Sequence, residues 1–298
     1  MPSFRSSKEQ AQHAVGQKVA LGESRHDSKN DGMIHSFRTG MAYTDSLKGF
    51  TDFVQENRLG DLKNATPEIA QAYLQERQEA GLSQKTLDQD RQALQCHLGQ
   101  TLERVHSLKE TQLTTRSYTP EQTREIASHQ NERNALSTEI AHSAGLRAHE
   151  LATIRPASER QPSAHREWRE DRFAGRDGVR YTVEGKGGLV REVLIPRDLA
   201  ARLESRRIDG GPVRETDRGV HYSKQYDIGS GKNWSSSFSR VSDNNLGWSN
   251  GAHGLRHSYA QERMSELQGG GMSYREALGN VAQELGHFSE HTTEAYLR

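Results

Sequence analysis

One ordered series of side chains constrains this fold more than any other feature of the sequence. From Arg147 onward the chain presents Arg147, Lys186, His253, Arg256, His287 and Tyr296, with the tyrosine two residues from the end. Each basic residue has a local context suited to gripping a phosphate. Together they describe a phosphoryl-transfer site: guanidinium groups neutralise phosphate oxygens, lysine and histidine move protons, and a phenol attacks. A fold that uses this series must bring several distant segments to one point.

The local spacings are compatible with that convergence. His253 and Arg256 are three apart, which puts both on one face of a helix. His257 follows but points about 100° further round, and reads as a packing or DNA-backbone residue. Lys186 lies between the strand-like runs VRYTVE (179–184) and LVREVLI (189–195), where Gly185, Gly187 and Gly188 mark a hairpin turn. His287 and Tyr296 would face opposite sides of one unbroken helix. Gly286 as a stop, Ser289 as a new N-cap and Glu290 in the first turn offer a kink that reunites them. Singly, each element is weak: Arg147 alone reads as a surface arginine opening a helix, and His-x-x-Arg also occurs at His35–Arg38.

The segments SAGLRAHEL (143–151), EGKGGLVREV (184–193), HGLRHSYA (253–260) and ELGHFSEHTTEAYLR (284–298) resemble the tyrosine recombinase (phage integrase) family in order, wording and position. The resemblance implies a site-specific recombinase or integrase of a mobile genetic element. Tyr296 would attack the scissile phosphate to give a 3′-phosphotyrosine ester. Arg147 and Arg256 would stabilise the phosphorane, His253 and His287 would bond its oxygens, and Lys186 would protonate the leaving 5′-oxygen. Glu150 would support the site from behind, and neither metal nor cofactor is called for. The implied partner is double-stranded DNA, bound as a homo-oligomer (a tetramer), the free chain being a monomer. A type IB topoisomerase would share this chemistry, and a catalytically idle DNA-binding regulator would share the fold. One departure is the 31-residue span from Arg256 to His287, with extra length marked by Gly269–Gly271. Tyr296 lies so near the end that its segment is expected to fray without DNA.

Two rival motifs overlap these segments. His287-Phe-Ser-Glu290-His291 matches the inverted zinc-peptidase pattern, but serine and glycine beside His287 argue against the continuous helix that pattern needs. GSGKNW (229–234) lacks the earlier glycine of a phosphate loop and has Asn233 where serine or threonine is required.

At 298 residues the chain has room for two domains. Residues 1–35 are polar without apolar periodicity and read as a flexible arm or extension. Helical spacing recurs over 37–58, from Pro67 to Ala80 and from Ser83 through Leu98, with a short fourth helix around Leu102 and Val105. Residues 36–107 thus form a helical module, to which the resemblance gives a DNA-clamping role; 108–117 read as a linker. Thr119-Pro-Glu-Gln122 is a capping box that opens a catalytic domain over 118–298. There, helices are expected at 120–130, 132–144, 197–207, 253–267, 273–285 and 290–298, with a polar loop to about 233. The fold class is mainly α with a small β-sheet (α+β).

Charge is the awkward feature. Lys plus Arg and Asp plus Glu are 40 each, so the net charge is zero, whereas a DNA-encircling chain is usually basic. The dense run Arg166, Arg169, Arg172, Arg176 and Arg180 is interleaved with Glu167, Glu170, Asp171 and Asp177, and reads as a solvated mixed-charge loop. One cysteine, Cys96, rules out an internal disulfide and fits a cytoplasmic, nucleoid-associated protein. No apolar run reaches membrane-span length.

Overall fold

A computed structural model describes residues 6–20, 32–110 and 114–297, together with the backbone but not the side chain of Lys186. Two compact units divide the chain at residue 112.

Unit 1 is helical: α1 (Ser7–Gly16), α2 (Phe37–Glu56), α3 (Pro67–Glu79) and α4 (Gln84–Leu98). Their boundaries follow local chemistry. Thr66 accepts from the Ile69 amide with Pro67 at the first helical position, Ser83 accepts from the Thr86 amide, and Gly99 closes α4 in the left-handed region. Phe50, Phe53 and Tyr73 interlock with ring centroids 5.3–6.4 Å apart, and Leu47, Val54, Leu74, Ala93 and Leu94 complete the core.

Two expectations fail here. Residues 7–16, read as part of a flexible arm, form a capped helix whose Ala11 and Val15 enter this core. Gln10 bonds Asp61 and the Leu62 amide, and Ser7 bonds Gln55, so sparse apolar content is offset by specific polar ties. Positions 1–5 and 21–31 of the expected arm lie outside the described residues, as do 111–113 of the expected linker. The segment around Leu102 and Val105 is extended rather than helical; both side chains are buried, and Gln84 and Gln95 bond its backbone.

Unit 2 begins with α5 (Pro120–Ser128), opened by the Thr119–Gln122 capping box, and α6 (Glu132–Ala144). A 3-10 turn at Glu150–Thr153 leads into β1 (Arg155–Pro156). β2 (Val179–Glu184) and β3 (Val190–Ile195) pair antiparallel from Val179↔Ile195 to Glu184↔Val190, giving a three-stranded sheet in the order β1-β2-β3. Then come α7 (Arg197–Glu204), a second hairpin of β4 (Val213–Asp217) and β5 (Val220–Lys224), α8 (Gly231–Leu246), α9 (Gly254–Gly269), α10 (Tyr274–Glu284) and α11 (Glu290–Glu294).

The fold is the expected α+β class. The polar stretch expected to be a loop to about 233 instead contains the β4–β5 hairpin, and α8 was not foreseen. In α8, Trp234, Phe238 and Val241 face the core at spacings of four and three, within a serine-rich sequence of modest helix propensity. The last helix stops at Glu294, short of the expected 298, so Tyr296 sits in the turn beyond it.

If α1 belongs to the core of unit 1, Ala11→Asp buries an unpaired carboxylate and costs about 3–5 kcal/mol, whereas exposed Lys8→Gln changes little. All three tryptophans (Trp168, Trp234, Trp248) lie in unit 2. Urea unfolding followed by far-UV circular dichroism should therefore show an early transition that tryptophan fluorescence does not. Coincident, unshifted curves for Ala11→Asp would mean that α1 is not part of the core.

Candidate active site

The site in unit 2 is built around one carboxylate. Glu150, fully buried in the turn after α6, accepts from the Arg147 amide at 2.8 Å, from Arg147 Nη1 at 2.7 Å and from Arg191 Nη2 at 2.8 Å. Burial alone would raise its pKa, but Arg191, Arg256 and Arg147 together hold it far below the usual carboxylate range. It is therefore a fixed anion that orients two guanidiniums.

Arg256 approaches from α9 and is entirely buried. Its Nη1 donates to the Gly145 carbonyl and its Nη2 to the Leu285 carbonyl. Gly145 ends α6 at φ +61°, and a Cβ there would lie 2.8–2.9 Å from Tyr259 and Leu285. Glycine is required both for the turn and for a carbonyl that two helices can crowd.

The kink works as the spacing predicts. Gly286, at φ +68°, stops the chain after α10, and Ser289 stands at the N-cap of α11. His287, 7% exposed, is thereby turned inward, and its Nε2 accepts from Arg147 Nη2 at 3.2 Å and from Arg256 Nη2 at 3.1 Å. An Nε2 that accepts twice carries no proton, so the proton is on Nδ1, which donates to Thr293 Oγ1 at 3.2 Å. Burial first, then Arg256 and Arg147, push His287 down to about 3. Burial likewise leads the shift of His253 and His257 to about 4, with Arg256 adding to both.

Tyr296 closes the site. Its ring centroid lies 4.6 Å from that of His257, 5.0 Å from His287 and 5.4 Å from His253, and Arg256 Cζ stands 5.6 Å from it. The tyrosine expected to fray is held in a ring of imidazoles. His257, read as a packing or DNA-backbone residue, packs directly on it. Arg147, Glu150, His253, Arg256, His287 and Tyr296 therefore meet in one place. The backbone of Lys186 occupies the β2–β3 turn, where Gly187 and Gly188 have φ near +76°. That turn springs from the site's edge, since a Cβ on Gly185 would stand 3.3 Å from Glu150 Oε1. The Lys186 side chain lies outside the described residues.

Two contributors escaped sequence reasoning. Arg191 ties Glu150 to the Glu284 carbonyl at 2.7 Å, and Thr293 fixes the tautomer of His287. Arg191 carried a signal: alternation along β3 places it with Val193 and Ile195 on the buried face. The arginine-rich stretch is also not a solvated loop. Arg172 is buried against Glu192, Arg176 pairs with Glu266, and Arg166 lies 4.5 Å over the Phe288 ring, which Trp168 meets edge-on at 5.3 Å. The segment straps onto α10 and onto the hinge next to His287. His291, the second histidine of the zinc-like motif, has its side chain 92% exposed beside Glu294, away from buried His287.

Known proteins share this architecture. Residues 34–97 match the family model described as phage integrase, N-terminal SAM-like domain. The XerH site-specific recombinase, solved with palindromic difH substrate as a post-cleavage complex, is 17% identical, with 100% of this chain and 94% of that one covered at a TM-score of 0.60. A lambda integrase dimer bound to a COC′ core site is 16% identical over 92% of each chain, at 0.55. The Tn1549 transposon integrase with transposon right end DNA is 14% identical over 97% of this chain and 94% of that one, at 0.53. No curated protein matches in sequence. The fold is thus that of the tyrosine recombinases.

The depressed histidines fix a pH dependence. A buried imidazole whose folded pKa lies below its unfolded value near 6.5 binds fewer protons folded than unfolded. Its stability contribution is complete above pH 6.5 and is lost as pH falls toward 4 for His257 and 3 for His287. Between pH 6.5 and 4.5, before most carboxylates titrate, unit 2 should lose up to about 1.4 kcal/mol per pH unit for each such group. His149, also lowered by burial, adds to the slope. Urea melts followed by tryptophan fluorescence measure it. His287→Gln should flatten the slope, and an unchanged slope would mean that His287 is not buried neutral.

Proposed function

We propose that this chain, a tyrosine-recombinase fold with a phage-integrase SAM-like domain in its first unit, is a site-specific DNA recombinase working through a 3′-phosphotyrosine ester. The observation that carries this reading is the meeting of Arg147 and Arg256 on one nitrogen of His287 beside the Tyr296 ring. Two cations share a neutral acceptor, an arrangement that an anion improves.

In the proposed reaction the scissile phosphate takes the place of His287 as acceptor, and Arg147 and Arg256 hold its non-bridging oxygens. Tyr296 Oη attacks phosphorus as its phenolic proton passes to the neutral Nε2 of His287, the bond to the 5′-oxygen breaks, and Lys186 gives that oxygen its proton. His253 and His287 bond the phosphorane oxygens. To donate there while keeping its Thr293 bond, His287 must take up a proton on Nε2, which the phosphate charge favours. The ester conserves the bond, so attack by a new 5′-hydroxyl rejoins the strand without a high-energy cofactor. Since the side chains supply the charge, the chemistry is metal-independent. Residues 36–107 clamp double-stranded DNA, 118–298 carry out catalysis, the free chain is a monomer, and a tetramer forms on DNA in the cytoplasm. Among the described residues, no helix is long and apolar enough to cross a membrane.

The test is covalent capture. The chain is incubated with sheared DNA of its source, and SDS-resistant protein–DNA adducts are recovered and sequenced, which also identifies the site. Tyr296→Phe should bind DNA and give no adduct, and Arg256→Gln should slow adduct formation about 10²–10³-fold. An adduct surviving in Tyr296→Phe would move the nucleophile to half-exposed Tyr274, because Tyr259 is buried with its hydroxyl donating to Glu284 at 2.7 Å.

Adduct formation should also be unaffected by EDTA. Activity lost to chelation and restored by zinc would return His287 and His291 to consideration as ligands.

A further inference from the structure

The backbone carbonyl of Tyr296 is gripped from α9. Gln261 Nε2 donates to it at 3.3 Å. Residues 257 and 261 are four apart, so both project from one helical face onto the same residue. His257 lays its ring on the tyrosine ring, 4.6 Å away at 32°. Its Nδ1 is buried and makes no hydrogen bond.

The rest of the geometry suits a grip on the nucleophile's peptide. α9 is a fixed rail: Ser258 exchanges hydrogen bonds of 2.8 Å with both backbone groups of Tyr118, and Tyr259 is tied to Glu284. Tyr296 lies beyond the end of α11, held from its own side by the bond of its amide to the Thr293 carbonyl. A five-residue helix cannot by itself fix the residue that follows it. Among the described residues none hydrogen-bonds the phenolic oxygen, so the clamp restrains the residue and leaves the reacting atom unengaged.

We propose that His257 and Gln261 are positioning residues, a two-point clamp on Tyr296 (one on its ring, one on its carbonyl) that holds the phenol against the Arg147–Arg256 anion site. This rests on the reading of Tyr296 as the nucleophile. Holding a nucleophile in attack geometry acts on the rate of the chemical step and not on the affinity for DNA.

Two measurements on the full chain test it. Hydrogen exchange of the 290–297 segment, without DNA, should quicken in Gln261→Ala and more in His257→Ala/Gln261→Ala. On the duplex recovered by covalent capture, at saturating DNA, the double variant should form adduct about 10–100-fold more slowly with its Kd for that duplex unchanged. His257→Phe, which keeps a ring face against the phenol, should retain most of the rate. Tryptophan fluorescence melts show whether each variant is folded, and Gln261→Ala alone carries the test if the double variant is not. Unchanged exchange would overturn the clamp whatever the activity. Faster exchange with an unchanged rate would overturn its positioning role, and a Kd that weakens in step with the rate would make these side chains DNA contacts instead. No adduct from the unaltered chain would sink the nucleophile reading itself, an outcome that the exchange experiment keeps distinct.

Discussion

The carboxylate of Glu150 is the interaction on which the rest of this site depends. Buried ion pairs are weak evidence for stability, because desolvation cancels much of the attraction, while removal of one partner is costly. Glu150 has a different role: among the described residues it is the one anion facing Arg147, Arg191 and Arg256, so the cluster keeps an excess of two positive charges, three minus one. Without Glu150, three guanidiniums would repel one another with no counter-charge. One carboxylate against three arginines is the compromise that keeps a folded site electropositive.

That local excess also resolves the contradiction in the composition. A chain with no net charge looks poorly suited to a polyanion, but the total hides the placement. A neighbouring network, Arg263 and Arg176 with buried Glu284 and exposed Glu266, balances two against two and knits the arginine-rich strap to α9 and α10. Many arginines of this chain are thus spent on structure. Sequence counting cannot separate them from the site arginines, because the pairing is made across long stretches of chain: Arg176 to Glu266 spans 90 residues.

What was legible in the sequence was local. The helix start at Pro67, the caps at Ser83 and Thr119, the glycine turn at Lys186 and the stop at Gly286 each rest on one or two neighbours, and a linear reading sees them. Arg147, Glu150, His253, Arg256, His287 and Tyr296 were named from order and spacing, and the fold brings them together. What was missed depends on tertiary context. α1 is polar because its bonds to Gln55, Asp61 and Leu62 stand in for a wide apolar face. The β4–β5 hairpin lies on a largely exposed surface, and its burial of Lys224 against Glu215 and Ser230 is invisible without the start of α8. Arg191 is an arginine on the inward side of a strand, a departure from pattern that marks a buried partner.

Arg191 also explains why the turn that carries Lys186 and the hinge that leads to Tyr296 belong to one mechanical unit. From β3 it reaches Glu150 with one nitrogen and the Glu284 carbonyl, at the end of α10, with another. Gly286 lies so close that a Cβ would stand 2.8 Å from Arg191 Cδ, so the glycine that kinks the chain also makes room for this arginine. The strap repeats the connection on the outside: Ser163 pairs with Val190 of β3, Gln283 bonds the Arg169 amide and the Glu167 carbonyl, and Trp168 and Arg166 cover Phe288. A displacement of the hinge is therefore felt at the hairpin through two independent routes, one buried and ionic, one exposed and aromatic. Lys186 and Tyr296 lie 110 residues apart in sequence, and that shared support couples the turn of the one to the hinge of the other.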